Sequence, residues 1–243
     1  KSMNLGLKGK VALVTGGSEG IGKAAANSMA AEGASVVICA RRSDVLEMAA
    51  NDIRKATGGE VTAISIDVTK VDQLQSLFDE IISKYGRVDI LVNNAGTSSA
   101  GYFEDITDET WQVDLDLKLF GAIRCSRMAI PHMKAQGGGR IINVTTHGGK
   151  APPSRSVPTS VSRAAGIALT KVLSKDYATD NILVNTVCIG LIKSGQHKQR
   201  WERQHDENPD ITLDKWYASM GTNVPMGRIG EAKEAGDVIA FLA

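Results

Sequence analysis

Continuous apolar, β-branched runs recur along the chain, separated by stretches whose apolar residues repeat on a helical period. The runs are Val11–Thr15, Ser35–Ala40, Val61–Ile66, Ile90–Asn93, Arg140–Val144 and Leu183–Val187. Unbroken apolar runs of this length predict strands buried on both faces. The amphipathic stretches Gly20–Glu32, Asp44–Thr57, Val71–Tyr85, Trp111–Gln136 and Thr159–Tyr177 predict the intervening helices. Strand–helix–strand alternation calls for right-handed crossovers, hence an α/β fold of three layers around a doubly wound parallel sheet. Such a sheet binds its ligands beyond the carboxyl ends of the strands. The rhythm breaks from Lys193 to Pro225, a polar segment with Trp201, Trp216, Tyr217 and Met220 interspersed. Long irregular insertions in compact domains are usually functional or mobile. This one reads as a helical lid over a substrate, at about residues 193–225, or as a surface excursion packing on a neighbouring subunit. No repeat or linker divides residues 1–243, which predicts a single domain.

Composition narrows the partners. The formal charge of +1 provides no field to draw nucleic acid or an anionic membrane. No apolar stretch approaches the roughly 20 residues of a membrane span, and Lys1 to Lys10 lacks the apolar core of a signal peptide. Cys39, Cys125 and Cys188 are widely spaced and odd in number, which predicts buried, reduced thiols rather than disulfides. A cytoplasmic location is expected. His132, His147, His197 and His205 have no metal-ligand spacing, so no zinc site is predicted.

The first predicted strand runs into Thr15-Gly-Gly-Ser-Glu-Gly-Ile-Gly22, which opens the first helix. Gly16 permits a tight turn, Gly20 lets the backbone approach a pyrophosphate at the helix N-terminus, and Gly22 allows close helix–sheet packing. Ser18, Glu19 and Ile21 complete this candidate cofactor loop. The second strand ends in Arg41-Arg42, where an acidic residue would clasp the ribose 2′-OH of NAD. Two guanidinium groups suit a 2′-phosphate instead, so NADP(H) is expected over NAD(H).

With Asp67-Val68 after the third strand and Asn93-Asn94-Ala95-Gly96 after the fourth, the chain resembles the short-chain dehydrogenase/reductase family from Leu5 to Leu242. The resemblance implies that Asp67 and Val68 meet the adenine, and that Asn94, Ala95 and Gly96 line the cofactor and brace the sheet. Gly190, Ile192 and Ser194 would continue the cofactor site, although Ile189-Gly190 replaces the family's Pro-Gly and Ser194 its Thr. The long stretches 111–136 and 159–177 resemble those that pair subunits in the family, implying a homodimer or homotetramer. The sequence given stops at Ala243, before the last strand usual in the family; without such a strand a sheet edge would be exposed and a subunit contact weakened.

The family's usual active site combines an Asn, a Ser and a Tyr-x-x-x-Lys pair. Trp111-Gln-Val-Asp-Leu-Asp-Leu-Lys118 resembles the Asn segment, with Asp116 in that position. Thr146 stands for the Ser, Thr159 for the Tyr and Arg163 for the Lys; no Tyr-x-x-x-Lys occurs anywhere in the chain. A phenol titrates near 10, and ionising it at pH 7 costs roughly 4 kcal/mol. A Thr hydroxyl behaves more like water, far above the phenol range, and ionising it costs roughly 12 kcal/mol. Arg163 retains the fixed charge and the donors for ribose hydroxyls, but it cannot release a proton. An ion pair between Asp116 and Arg163 would make their replacements a single paired change. His147, beside Thr146, titrates near neutrality and is a candidate acid, or a loop His pointing elsewhere.

Three functions fit this pattern. One is an NADP(H)-dependent oxidoreductase acting on a small organic acceptor with atypical acid/base residues. Another is a lyase or isomerase using the same pocket without net hydride transfer. The third is a cofactor-binding scaffold without turnover.

Overall fold

A computed structural model describes residues 4–205 and 211–243 of the chain. Six strands form one parallel sheet: β1 (Val11–Thr15), β2 (Ser35–Ala40), β3 (Val61–Ser65), β4 (Ile90–Asn93), β5 (Gly139–Thr146) and β6 (Ile182–Ile189). Their order is β3-β2-β1-β4-β5-β6, and every neighbouring pair is parallel. This is the doubly wound α/β arrangement of the Rossmann type. The strand order reverses between β1 and β4, so a crevice opens beyond their carboxyl ends. The Gly-rich turn after β1 and the Asn-Asn-Ala-Gly segment after β4 both lie at that crevice.

Helices α1 (Gly20–Ala31), α2 (Ser43–Thr57) and α9 (Ala232–Leu242) cover one face. Their Ala25, Met29, Leu46, Ile53 and Ile239 join Ala12, Val14, Val36 and Ile38 of the sheet in one core. The opposite face carries α3 (Val71–Tyr85), α5 (Gly121–Ala135) and α6 (Thr159–Asp176). Leu74, Leu77, Phe78 and Ile81 of α3 follow the 3.6-residue period and are buried. They meet Leu13, Val37, Leu91, Ala129 and Met133 in the second core. The central strands are buried on both faces as their patterns predict. The edge strand β6 is not: Leu183 is 45% exposed.

One difference from the sequence pattern bears on the site. The expected helix Trp111–Gln136 consists of α4 (Asp108–Leu115), a π-helical turn over Asp116–Phe120, and α5. π turns widen a helix by one residue and frequently accompany functional positions. The segment beginning at Lys193 contains α7 (Gly195–His205) and α8 (Leu213–Gly221). The Trp201 indole donates to Ile211 O at 2.8 Å. The His197, Trp216 and Tyr217 rings pack in series with tilted faces, their centroids 6.1 and 5.7 Å apart. Among the described residues no helix is long and apolar enough to cross a membrane.

Candidate active site

The crevice is built on a cradle of backbone. Gly16 has φ 66° and Gly20 φ 54°, the left-handed region where a side chain is strained. A Cβ on Gly22 would lie 2.2 Å from the Gly16 carbonyl oxygen and 2.5 Å from Asn94 Nδ2, so only glycine admits this approach. Asn94 locks the turn from the other side of the switch point. Its Nδ2 donates to Thr15 O and Gly16 O, both at 3.0 Å, and its backbone N–H donates to Thr15 Oγ1 at 3.0 Å. Ala95 N–H donates to the same hydroxyl at 3.1 Å. The asparagine amide thus satisfies the Thr15 and Gly16 carbonyls, the Gly16 and Gly17 N–H groups donate to Cys39 O, and the turn then runs into the N-terminus of α1, where backbone N–H groups have no intrahelical partner. That donor set matches an anionic diphosphate.

Arg41 and Arg42 are exposed at the end of β2. Arg42 forms an ion pair with Glu19 of the turn, so the one carboxylate of the loop is neutralised beside the exposed Arg41. Ser18 is half-buried and Ile21 buried. Asp67 shapes its own turn by accepting from Thr69 N at 2.9 Å and Thr69 Oγ1 at 2.8 Å. Val68 packs into the second core. Ser194 approaches Gly20, 3.8 Å from a Cβ built there, and its Oγ accepts from His197 N at 3.3 Å. Ile192 pairs with Gly230 in a short parallel bridge, and Gly190 is exposed in the turn after β6.

Deeper in the crevice the structure brings Thr159 and Arg163 together and corrects the partner chosen for them. Asp116 accepts from Gln112 Nε2 at 3.0 Å and from Arg124 at 3.4 Å, and no ion pair joins it to Arg163. The acid facing the site is Asp114, and the base is Lys118. Their ion pair is closed to solvent, with side-chain exposures of 0% and 1%. Residues four apart share a helical face, whereas a residue two along points to nearly the opposite side. Asp114 and Lys118 therefore turn inward together, and Asp116 turns away. The i,i+4 spacing of Asp and Lys was the sequence signal for this pair. It was obscured because such pairs are ordinarily solvated surface features.

Thr159, at the start of α6, is the meeting point. Its Oγ1 accepts from Lys118 Nζ at 2.9 Å and from Ser99 N at 3.1 Å, and it donates to Asp114 Oδ1 at 3.4 Å. Arg163, one turn on, donates from Nη1 to Val144 O at 2.8 Å. Its Nε and the Asp114 Oδ2 are buried without a hydrogen-bond partner among the described residues. Its guanidinium also lies against Gly96, whose Cβ would stand 2.6 Å from Nη2. Burial pushes Arg163 below its ordinary value, with the Asp114 charge opposing. Burial lowers the Lys118 ammonium to about 8; Asp114 opposes that shift, and the Arg163 charge adds to it. Thr146 ends β5 half-buried, while His147 is exposed at the start of a short 3-10 turn. Thr159 thus accepts from Lys118 and Ser99 and donates to Asp114, and His147 is not among its partners.

Sequence reasoning also missed Gln196 of α7. Its Nε2 donates to Gly96 O at 3.1 Å, and its Oε1 accepts from Ser98 N at 3.0 Å. The amide thereby ties α7 to the loop after β4. Gln196→Ala removes both bonds, a loss of roughly 1–2 kcal/mol. Amide hydrogen exchange in α7 is expected to accelerate about five- to thirtyfold; unchanged exchange would show that other contacts hold the helix.

The family described as short chain dehydrogenase matches residues 10–205. The chain belongs to that family. A putative ketoacyl reductase of Streptomyces coelicolor is 31% identical over 96% of this chain and 89% of its own length. A 3-oxoacyl-[acyl-carrier-protein] reductase of Thermotoga maritima is 31% identical over 98% of this chain and 91% of its own. Among solved structures, L-sorbose reductase of Gluconobacter frateurii, complexed with NADPH and L-sorbose, superimposes with a TM-score of 0.94. It is 32% identical, covering 99% of this chain and 91% of the reductase. The short-chain dehydrogenase relationship thus extends over the whole sheet, the Gly-rich turn and the crevice.

Proposed function

We propose that this chain is an NADP(H)-dependent oxidoreductase that passes hydride to a small organic acceptor, with Thr159, Lys118 and Arg163 replacing the family's usual acid/base residues. The observation that carries this reading is the intact cradle: Gly16, Gly20 and Gly22 clamped by Asn94, with an unpartnered Arg163 donor facing the same crevice. A bound dinucleotide would supply the hydride. Ser18, Glu19 and Ile21 would flank its diphosphate, and Asp67 and Val68 its adenine. Ala95, Gly96, Gly190, Ile192 and Ser194 would line the nicotinamide end, with Arg163 on the ribose hydroxyls. Thr146 would orient the acceptor.

Preference for the 2′-phosphate rests on Arg41, since Arg42 is engaged by Glu19. A hydrogen bond to a charged group contributes about 1.5–3 kcal/mol. Arg41→Ala is therefore expected to weaken NADPH binding roughly 10- to 150-fold while leaving NADH binding unchanged. Nucleotide fluorescence titration measures both. Equal effects on the two nucleotides would remove Arg41 from the phosphate site.

The segment at about 193–225 acts in this reading as a lid over the acceptor, latched by Gln196 and faced with Trp216 and Tyr217. Apolar residues left exposed on α4 and α6, namely Val113, Val161 and Val172, support assembly as a homodimer or homotetramer. Transfer of deuterium from 4-deuterated NADPH into a carbonyl, quinone or imine product tests the activity. Tight NADPH binding with no transfer across such a panel would favour the scaffold, a reading encouraged by a Thr159 hydroxyl already engaged by three protein groups.

A further inference from the structure

Resting on the oxidoreductase reading, we infer that Lys118 supplies the proton for reduction, acting through the Thr159 hydroxyl, with Asp114 holding the ammonium in place. The family's phenol position is taken by a hydroxyl too weak to donate alone, since its alkoxide lies many pH units from neutrality. A hydroxyl that receives one proton as it gives another never becomes an alkoxide. Lys118 Nζ lies 2.9 Å from Thr159 Oγ1, within the range that proton transfer requires. The remaining environment suits a donor that must be charged before transfer and neutral after it. Asp114 from α4 stabilises the ammonium, while burial and the Arg163 guanidinium from α6 favour its deprotonation. These opposing influences leave the amine closer to neutrality than a free phenol.

The chemistry balances. A reduced nicotinamide dinucleotide bound in the crevice would supply the hydride for the new C–H bond, the C=O or C=N π pair moving to the heteroatom. The acceptor is reduced and the dinucleotide oxidised. That heteroatom takes the Thr159 hydroxyl proton, which turns to it from Asp114 Oδ1, and Thr159 Oγ1 takes a proton from the Lys118 ammonium. Lys118 is left as a neutral amine, whose proton is restored from solvent through Thr159 once the product has left the crevice. Thr159 is the group that meets the acceptor; Lys118 is a positioning residue whose charge state sets proton supply.

Two measurements test the assignment. In protein without nucleotide, side-chain NMR of labelled lysine, assigned with Lys118→Arg, is expected to show one lysine titrating near pH 8. That resonance should be displaced in Thr159→Val. A Lys118 that titrates with the surface lysines overturns the relay. In single-turnover reduction by NADPH, the wild-type rate is expected to fall as pH rises through the same value, because the amine loses the proton it must give. Lys118→Arg and Thr159→Val should each reduce the rate roughly 10²-fold or more and abolish that limb with NADPH affinity kept, and Thr159→Ser should restore both. Wild-type rate and pH profile in Lys118→Arg overturn the relay alone. A wild-type protein that binds NADPH but transfers no deuterium overturns the oxidoreductase reading itself, whatever the lysine titration shows.

Discussion

Replacing Asp114 with Leu is expected to destabilise the protein by about 3–5 kcal/mol, because removing one partner of a buried ion pair leaves the other charge uncompensated. For a chain of this size each kcal/mol lowers Tm by roughly 2–4 °C, so a fall of about 6–20 °C should be seen by calorimetry. The loss should depend on pH in a definite direction. Lys118 is already lowered to about 8 in the folded wild type, below an unfolded value near 10.4. Between these values the unfolded chain binds more protons, so this group makes wild-type stability rise with pH across that window. Without Asp114 the folded value drops further and the window widens downward. The Tm deficit of Asp114→Leu should then shrink on moving from pH 7 to pH 9.5. The double change Asp114→Leu with Lys118→Met removes both charges and should recover most of the loss, since apolar replacement of a buried pair is often neutral or stabilising. A single variant within 2 °C of wild type at pH 7 would mean that water reaches Lys118.

Gly22→Val should abolish dinucleotide binding and lower Tm together. The first atom added, Cβ, would lie 2.2 Å from Gly16 O, and that oxygen belongs to the backbone of the turn, not to a flexible side chain. Relief requires α1 to move away from the β1 turn, or the Gly16 carbonyl and the Asn94 amide to shift, which breaks the Asn94 bonds to Thr15 O and Gly16 O. Overpacking of this kind typically costs about 1–3 kcal/mol and occasionally more. Misplacing the cradle should weaken NADPH at least about 100-fold, equivalent to roughly 2.8 kcal/mol. Isothermal titration beside a thermal melt separates the two effects. A variant with wild-type NADPH affinity would place the diphosphate elsewhere.

Both predictions concern features of unequal visibility in the amino-acid order. The glycines at 16, 20 and 22, the Asn94 position and the alternation of buried runs with amphipathic stretches are local patterns, so strands and cradle could be read directly. Lys118 looked like one end of an exposed i,i+4 pair. Its burial depends on α6 delivering Thr159 against the π turn, a contact spanning 41 positions.

From order alone came the parallel sheet, the Gly-rich turn after β1 and the arginines at the end of β2. These follow from nearest-neighbour geometry: period, glycine spacing and turn chemistry. Tertiary packing alone decided which acid faces the crevice, because α6 packs Thr159 against the face that Asp114 and Lys118 share and leaves Asp116 on the other. It also decided that the lysine is desolvated and that Gln196 reaches Gly96. Burial and proton affinity belong to the assembled surroundings of a side chain, and here those surroundings come from α4, α6 and the loop after β4.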